Sequence, residues 1–184
     1  LIDCNESGST LRFMIPLAAL SDKKIVFTGA PGLRKRPVGD LLDALKQLGV
    51  ECSYVNNDAA LPVEVIGTNN NLRGAVVKIR GDVSSQFISG LLFALPLAKS
   101  DSVVQITTAV ESRDYIAVTI DVLKKFGVEI DYSPQFDSFK IKGNQSYSAC
   151  DYKVEGDYSS AAFPLAAGTL AGKVTVRNLN QDSM

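Results

Sequence analysis

Small hydroxyl side chains behind an acidic residue open two apolar segments of this sequence. Gly81-Asp82-Val83-Ser84-Ser85 recurs 75 positions later as Gly156-Asp157-Tyr158-Ser159-Ser160, and Asn5-Glu6-Ser7-Gly8-Ser9 is a weaker copy. A helix N-terminus offers unpaired N–H donors and a partial positive charge, so such a pattern can bind a small anion. The same residue types also cap helices. We interpret Asp82, Asp157 and Glu6 as caps, whereas capping and anion binding both remain open for Ser84, Ser85 and Gln86.

One dense basic cluster, Arg34-Lys35-Arg36-Pro37, adds cations to these donors. Pro37 suits the first position of a helix, so the three cations are predicted just before a helix N-terminus. Because that end of a helix is already positive, an anion beside Arg36 would offset the repulsion. Arg34 and Lys35 are interpreted as parts of a solvated turn.

Four further residues fit either a structural or a ligand-binding role. Arg12 lies one turn into an otherwise apolar helix, where a buried guanidinium must be paired. Pairing within the protein and contact with a ligand both remain open for it. Gly8 is either a backbone requirement or a point of close ligand approach. Arg113 is interpreted as a surface residue and Tyr115 as a wall residue, both in the first turn of a predicted helix.

The composition excludes several kinds of chemistry. The chain has 184 residues, no His, and 19 Lys+Arg against 20 Asp+Glu, which gives a net charge of −1. Without His it cannot by itself form a Ser-His-Asp triad, a Cys-His dyad or a His-ligated metal site. The net charge argues against a nucleic-acid partner. Cys4, Cys52 and Cys150 lack metal-ligand or disulfide spacing, so a cytoplasmic location is expected.

No segment has the character of a signal peptide or a membrane span. The richest apolar stretch, 88–98, contains Ser89, Gly90 and Pro96 and is much shorter than a span, which needs ~20 residues. A membrane partner is therefore not expected. The chain starts at Leu1 rather than Met and stops soon after a strand-like run, so we interpret it as part of a longer protein.

An internal repeat with offsets of 75 to 78 residues organises these motifs and has the order β-α-β-α-β-β. The second copy is predicted as strand 74–80, helix 84–98, strand 102–109, helix 112–126 and strands 128–133 and 138–142. The first copy is predicted as helix 8–20, strand 24–29, helix 37–48 and strands 50–55 and 62–66, with its first strand cut off. A third copy is predicted to open with strand 152–156, helix 159–170 and strand 173–178.

The two helices of each copy differ in how their apolar residues are distributed. Helix 37–48 is amphipathic and should cover a sheet from outside. The segments 11–20, 84–98 and 161–170 are apolar nearly all round, which predicts burial. We therefore expect an α/β fold (α+β in some schemes) with helices inside and with sheets and amphipathic helices around them.

In their order and spacing, the motifs resemble those of the 5-enolpyruvylshikimate-3-phosphate (EPSP) synthase family, the 3-phosphoshikimate 1-carboxyvinyltransferases. The resembling segments follow one another along the chain: Ser7-Gly8-Ser9-Thr10-Leu11-Arg12, Arg36-Pro37, Ser84-Ser85-Gln86, Ser112 with Tyr115, and Glu155-Gly156-Asp157-Tyr158-Ser159-Ser160-Ala161. Each motif alone is weak, whereas five in order are specific. The chain differs from the family pattern at Glu6, where Asn or a small residue is common, and at Arg113-Asp114, which replaces Lys-Pro.

The resemblance implies an inside-out α/β barrel of two lobes, each made of three β-α-β-α-β-β repeats. Residues 1–151 would then be a partial first lobe, in which the copy at 1–70 lacks its first strand and the copy at 71–147 is complete. Residues 152–184 would open the second lobe.

The resemblance also implies a reaction and a set of ligand contacts. The enolpyruvyl group of phosphoenolpyruvate is transferred to the 5-hydroxyl of shikimate-3-phosphate, with release of phosphate, in chorismate and aromatic amino-acid biosynthesis. The implied shikimate-3-phosphate residues are Ser84, Ser85, Gln86, Ser112 and Tyr115. The implied phosphoenolpyruvate residues, at the site where glyphosate competes in the family, are Gly8, Arg36 and Gln86. No metal or organic cofactor is implied, and the full-length protein is expected to be a monomer.

No catalytic residue is assigned within the chain, because the family's N-terminal Lys and its C-terminal Asp, Glu, Arg and His lie outside it. The 184-residue chain alone is therefore expected to be inactive. Two alternatives stay open: a UDP-N-acetylglucosamine enolpyruvyl transferase, which shares the fold, and a non-catalytic domain with the same repeat. Titration with shikimate-3-phosphate and with UDP-N-acetylglucosamine distinguishes the first alternative from an EPSP synthase. Thermal stability measured with and without ligand distinguishes the second.

Overall fold

The structure, a computed structural model, describes residues 1–56 and 58–179. The chain divides into an N-terminal unit, Leu1–Ser148, and a C-terminal unit, Ala149–Met184.

Two four-stranded sheets of the same topology, each with its helices, form the N-terminal unit. The first copy contains β1 (Ile2–Asp3), α1 (Gly8–Ala18), β2 (Lys24–Thr28), α2 (Pro31–Arg34), α3 (Gly39–Gln47), β3 (Cys52–Tyr54) and β4 (Val63–Ile66). The second contains β5 (Val76–Ile79), α4 (Ser85–Ala94), β6 (Ser102–Ile106), α5 (Arg113–Lys125), β7 (Ile130–Tyr132) and β8 (Ser138–Ile141). The strand orders are β1-β2-β4-β3 and β5-β6-β8-β7, which confirms the α/β class and the predicted repeat for these two copies.

The register of each sheet is set by apolar residues on its covered face. In the second sheet Val104 pairs with Val77 on the parallel side and with Phe139 on the antiparallel side, and all three side chains are fully buried. In the first sheet Phe27 occupies the corresponding place and pairs with Val63. A slip of one residue would turn these side chains to the other face, so burial fixes the pairing.

The buried helix pair α1 and α4 places the start of each helix near the other. The two helices pack together, and α4 also packs against α5. Gly90 permits close approach, because a Cβ atom there would lie 2.5 Å from the carbonyl oxygen of Arg12. Burial is confirmed for α4, in which eight of ten residues are buried. It holds for only part of the surface of α1, where Met14 is exposed.

The C-terminal unit departs from the predicted third copy. Its helix α6 (Tyr158–Ala171) has the expected position, but the prediction that it is buried is wrong for the described residues. Phe163 is 80% and Leu170 is 90% exposed, and Ala161 is the one buried residue of the helix. Residues 149–179 supply no sheet that could cover the helix, so its composition alone does not produce burial.

The two strands predicted around α6, at 152–156 and 173–178, do not form. The segments lie side by side at one point, where the N–H of Gly156 donates to the carbonyl oxygen of Asn178 over 2.6 Å. A strand ladder needs repeated backbone pairs, and a single one does not provide them.

Three boundaries in the N-terminal unit also differ from the sequence predictions. A short strand, β1, pairs in parallel with β2, although the first copy was predicted without its first strand. The segment before α3 folds as the four-residue helix α2, and Pro31 rather than Pro37 takes a first helical position. Helix α3 begins at Gly39 behind the cap residue Val38, so the placement of Pro37 at a helix start was wrong.

Candidate functional site

One cavity of the N-terminal unit, with a volume of about 610 Å³, collects most of the predicted site residues. Its lining includes Arg36, Ser84, Ser85, Gln86, Ser112 and Tyr115. Gly8 lies next to it, since a Cβ atom built on Gly8 would be 3.0 Å from Nη1 of Arg36. The structure therefore brings the residues predicted for both ligands to one place.

Three helices direct their N-terminal ends towards this cavity. Ser9 in the first turn of α1, Ser85 at the start of α4 and Ser112 at the cap of α5 all line it. Each N-terminus carries free N–H donors and a partial positive charge. Their convergence makes the cavity suited to a small anion with several oxygen atoms.

The caps of α1 and α4 are serines, so the interpretation of Glu6 and Asp82 as caps was wrong. Ser7 Oγ accepts from the N–H of Thr10 over 3.1 Å, and Ser84 Oγ accepts from the N–H of Gln86 over 3.3 Å. In both helices the serine hydroxyl lies close to the backbone N–H groups of the first turn. The serine therefore takes the capping position that was predicted for the acidic residue.

Asp82 has different partners, which hold it away from the start of α4. Nε and Nη2 of Arg80 each donate to its carboxylate over 3.0 Å, and the hydroxyl of Thr108 donates over 3.0 Å. The bonds from Arg80, and then the bond from Thr108, lower the pKa of Asp82 from 3.8 to about 2. Ser84 and Ser85 line the cavity, whereas Asp82 is not among its lining residues.

The cap of α5 has an uncommon backbone conformation. Ser112 has φ 53° and ψ 50°, in the left-handed region, and its side chain makes no capping hydrogen bond. Non-glycine residues in this region are concentrated at functional sites, where the surrounding structure holds them. Tyr115 follows in the first turn with 66% of its surface exposed, as expected of a wall residue.

Gln86 connects the first turns of α1 and α4. Its Oε1 accepts from Nη1 of Arg12 over 2.9 Å, and its Nε2 donates to Oγ of Ser9 over 2.8 Å. Nη1 of Arg12 also lies 3.4 Å from Oγ of Ser84. The question that the sequence left open for Arg12 is thus answered in part: its guanidinium is paired within the protein.

The guanidinium groups make this end of the cavity positive. Burial, and then the nearby charge of Arg36, lower the pKa of Arg12. Arg36 itself is exposed. Two cations held close together repel one another, and an anion placed against them would relieve that repulsion.

Apart from Glu111, the rest of the lining is apolar or weakly polar. Phe13 and Phe93 meet edge to face with ring centroids 5.2 Å apart, and both line the cavity. Ser89 and Thr119 share a buried hydrogen bond of 2.7 Å, and Thr119 donates to the carbonyl oxygen of Tyr115 over 2.8 Å. The bond between Ser89 and Thr119 ties α4 to α5, and the bond from Thr119 to Tyr115 lies within α5.

Sequence reasoning missed several lining residues. Ser9, Glu111 and Thr119 were not singled out for the site, and Arg12 was noted but not assigned to it. The position of Ser9 in the first turn of a helix was a usable signal. The contribution of Glu111 and Thr119 depends on how α5 packs, which no local pattern specifies.

Among residues 1–56 and 58–179 there is no group of three or more His, Cys, Asp or Glu side chains that could hold a metal ion. In the same part of the chain no helix has both the length and the apolar character required to cross a membrane.

Comparison with solved structures identifies the class of fold. Two structures of EPSP synthase from Acinetobacter baumannii align with TM-scores of 0.73 and 0.74, each over 88% of this chain and 34% of the solved chain. Their sequence identity of 23% makes this evidence for the fold alone.

Sequence comparison identifies the family. The EPSP synthase family model, described as 3-phosphoshikimate 1-carboxyvinyltransferase, matches residues 1–184. The chain therefore belongs to the EPSP synthase family, and the resemblance inferred from the motifs is confirmed.

Curated relatives show how much of the protein the chain covers. A 3-phosphoshikimate 1-carboxyvinyltransferase of Clostridium perfringens (strain SM101) is 45% identical over 183 residues, which are 100% of this chain and 42% of that protein. The protein of the same name from Methanococcus maripaludis (strain C7) is 44% identical over 187 residues, 43% of its length. The chain thus spans about two fifths of the relatives that it matches.

Proposed function

We propose that the full-length protein containing this chain transfers the enolpyruvyl group of phosphoenolpyruvate to the 5-hydroxyl of shikimate-3-phosphate and releases phosphate. The name shared by the curated relatives supports this activity. The structural observation that carries the proposal is the convergence of three helix N-termini and two guanidinium groups on one cavity. Both substrates are small phosphorylated acids, and this convergence is suited to such ligands.

The assigned roles follow from the chemistry of each end of the cavity. Ser84 and Ser85 donate to the phosphate of shikimate-3-phosphate at the N-terminus of α4, and Ser112 and Tyr115 contact the same substrate from α5. Gln86, which spans α1 and α4, contacts both substrates.

Arg36 binds phosphoenolpyruvate beside Gly8. The space there is small, because a side chain on Gly8 would meet the guanidinium of Arg36 at 3.0 Å. A methyl group at position 8 would displace Arg36 and narrow the place of an anion. Because space beside Arg36 depends on the absence of a side chain at position 8, Gly8 is also the residue that admits or excludes glyphosate in this protein.

The reaction is an addition followed by an elimination. The 5-hydroxyl loses its proton and attacks C2 of phosphoenolpyruvate while C3 gains a proton, and the tetrahedral intermediate then loses one proton of its C3 methyl group together with phosphate. The residues described here bind and orient the two substrates, and groups outside this chain transfer the protons. The protein works as a cytoplasmic monomer without a metal or organic cofactor.

The experiment is a steady-state assay of phosphate release by the full-length protein. Release that requires both phosphoenolpyruvate and shikimate-3-phosphate is the expected result, and UDP-N-acetylglucosamine should not replace the second substrate. Release with phosphoenolpyruvate and UDP-N-acetylglucosamine, but not with phosphoenolpyruvate and shikimate-3-phosphate, would instead support the related enolpyruvyl transferase. The 184-residue chain is the control. It should be inactive, and product formation by it would contradict the division of roles proposed above.

A further inference from the structure

We propose that Arg12 is a positioning residue, which fixes the side-chain amide of Gln86 so that its NH2 group, and not its carbonyl oxygen, faces the bound anion. The identity of that anion rests on the proposed function, whereas the orientation of the amide does not.

Only one end of the Gln86 amide can face Arg12. A guanidinium has donors and no acceptor. The group 2.9 Å from Nη1 of Arg12 must therefore be the carbonyl oxygen of Gln86. If the amide turned over, its NH2 group would point N–H bonds at a cation.

Ser9, in contrast to Arg12, does not distinguish between the two ends of the Gln86 amide. Its Oγ lies 2.8 Å from Nε2 of Gln86. A hydroxyl can donate or accept, so Ser9 would bind either end of the amide. Arg12 is thus the residue that decides the orientation. With one N–H bound to Ser9, the amide keeps a second N–H as a donor for an anion in the cavity.

The surroundings of Arg12 stabilise its guanidinium poorly. Its Nε is buried without a hydrogen-bond partner among the described residues. Its guanidinium also lies in the field of Arg36. A half-buried cation that is incompletely paired costs some stability, although its position 5.2 Å from the ring centroid of Phe87 offsets part of that cost. A residue placed here at such a cost fits a role in the site better than a role in the core.

The test is a double-mutant cycle on the full-length protein, with shikimate-3-phosphate affinity measured by calorimetry. R12M keeps the length and apolar contact of the side chain and removes its charge. It should weaken binding by about 10-fold or more, because a hydrogen bond at a charged group is lost. In a Q86A background the same change should add less than about 2-fold. R12K should restore much of the affinity, since an ammonium group also has only donors.

A matched control removes the same charge from the same region. R34M takes a cation from the neighbouring segment, where Arg34 Nε donates to the carbonyl oxygen of Gly29 and does not touch Gln86. Affinity in R34M should stay close to that of the unmodified protein. An equal loss in R12M and R34M would mean that net charge, and not the amide, matters. An equal loss from R12M with and without Gln86 would mean that Arg12 contacts the ligand directly; either result overturns the proposal.

A second readout needs no substrate. In protein labelled with ¹⁵N-glutamine, the side-chain amide of Gln86 is assigned by its disappearance in Q86A. Its protons should show an NOE to Ser9 that weakens in R12M and returns in R12K. An unchanged NOE in R12M overturns the positioning role even if the affinity falls. If the unmodified protein does not bind shikimate-3-phosphate, the proposed function fails while this measurement still decides the role of Arg12.

Discussion

Five-residue motifs that differ only in their third residue start α4 in the N-terminal unit and α6 in the C-terminal unit, yet the two helices use them differently. At α4 the cap is Ser84, the fourth residue of the motif. At α6 the cap is Asp157, the second residue, which accepts from the N–H groups of Ser159 and Ser160 over 2.9 and 3.1 Å. Asp157 also accepts from the hydroxyl of Ser160. At α4 a serine is the cap while Asp82 is bound by Arg80 and Thr108, whereas at α6 the acidic residue is the cap and also accepts from a serine hydroxyl.

The residue just before each motif differs between the two copies. Arg80 precedes the motif of α4 and binds Asp82 with two hydrogen bonds. Glu155 holds the corresponding place before the motif of α6, and a carboxylate cannot donate to Asp157 in this way. In these two copies the serine caps the helix where the acidic residue has another partner, and the acidic residue caps it where it has none of that kind.

The largest expected effect comes from removing Arg36, the cation that lines the same cavity as the motif of α4. In the full-length protein, Arg36→Ala should raise the KM for phosphoenolpyruvate by roughly 10- to 100-fold, because a charge-assisted contact is lost. Arg177→Ala takes the same charge from the C-terminal unit and is the control. Unchanged kinetics in Arg36→Ala would remove its assigned role.

The serines themselves come next. Ser84→Ala combined with Ser85→Ala should weaken shikimate-3-phosphate binding by about 1–3 kcal/mol in total, since both hydroxyls donate to its phosphate. Ser159→Ala combined with Ser160→Ala makes the same change in the motif of α6 and should leave the affinity for shikimate-3-phosphate nearly unaltered. Calorimetry on both double variants decides the matter. A loss confined to phosphoenolpyruvate would reverse the substrate assignment.

Exchanging the residue before the motif should convert one use into the other. Arg80→Glu removes the partner of Asp82, which can then compete for the N–H groups at the start of α4. Affinity should fall by roughly 3-fold, a small effect because the ion pair is exposed. Amide hydrogen exchange at Ser85 and Gln86 should change as well.

The reverse exchange, Glu155→Arg, should draw Asp157 from its cap and speed amide exchange at Ser159 and Ser160. Protection that stays the same in both exchanged variants would show that the preceding residue does not control the cap.

The smallest effect is expected from pH. Hydrogen bonds from Arg80 and then Thr108 lower the pKa of Asp82 from 3.8 to about 2, and the Ser160 hydroxyl and then the Ser159 N–H lower that of Asp157. A lowered folded-state pKa means that each carboxylate stabilises the fold above its ordinary pKa and loses this contribution as the pH falls. For Asp82 the loss should run from about pH 4 towards 2. Carboxyl ¹³C titration measures this directly, and an ordinary pKa for Asp82 would contradict the arrangement.

The sequence predicted α4 and its burial correctly, because its apolar residues cover all sides and the surrounding elements are present. The same reasoning failed for α6, which has similar composition but is exposed among the described residues. Amphipathicity and apolar content state what a helix can bury, and neighbouring elements determine whether it does. The α/β class and the repeat were predictable because strand and helix periods are local properties.

The candidate site was predictable in its residue types and only partly in its contacts. Ser84, Ser85 and Arg36 carry local signals of anion binding, and they do line one cavity. The pairing of Arg12 with Gln86 joins residues 74 positions apart, and that of Thr108 with Asp82 spans 26. Such contacts depend on how α1, α4 and β6 are packed, so no pattern in the sequence indicates which end of an amide or carboxylate is occupied.

The most direct test of the central claim is a crystal structure of the full-length protein with shikimate-3-phosphate. The phosphate should lie within hydrogen-bond distance of Oγ of Ser84 and Ser85, at the N-terminus of α4, with Arg36 facing the adjacent phosphoenolpyruvate position. A ligand bound without any contact to the start of α4 would contradict the account, whatever its affinity.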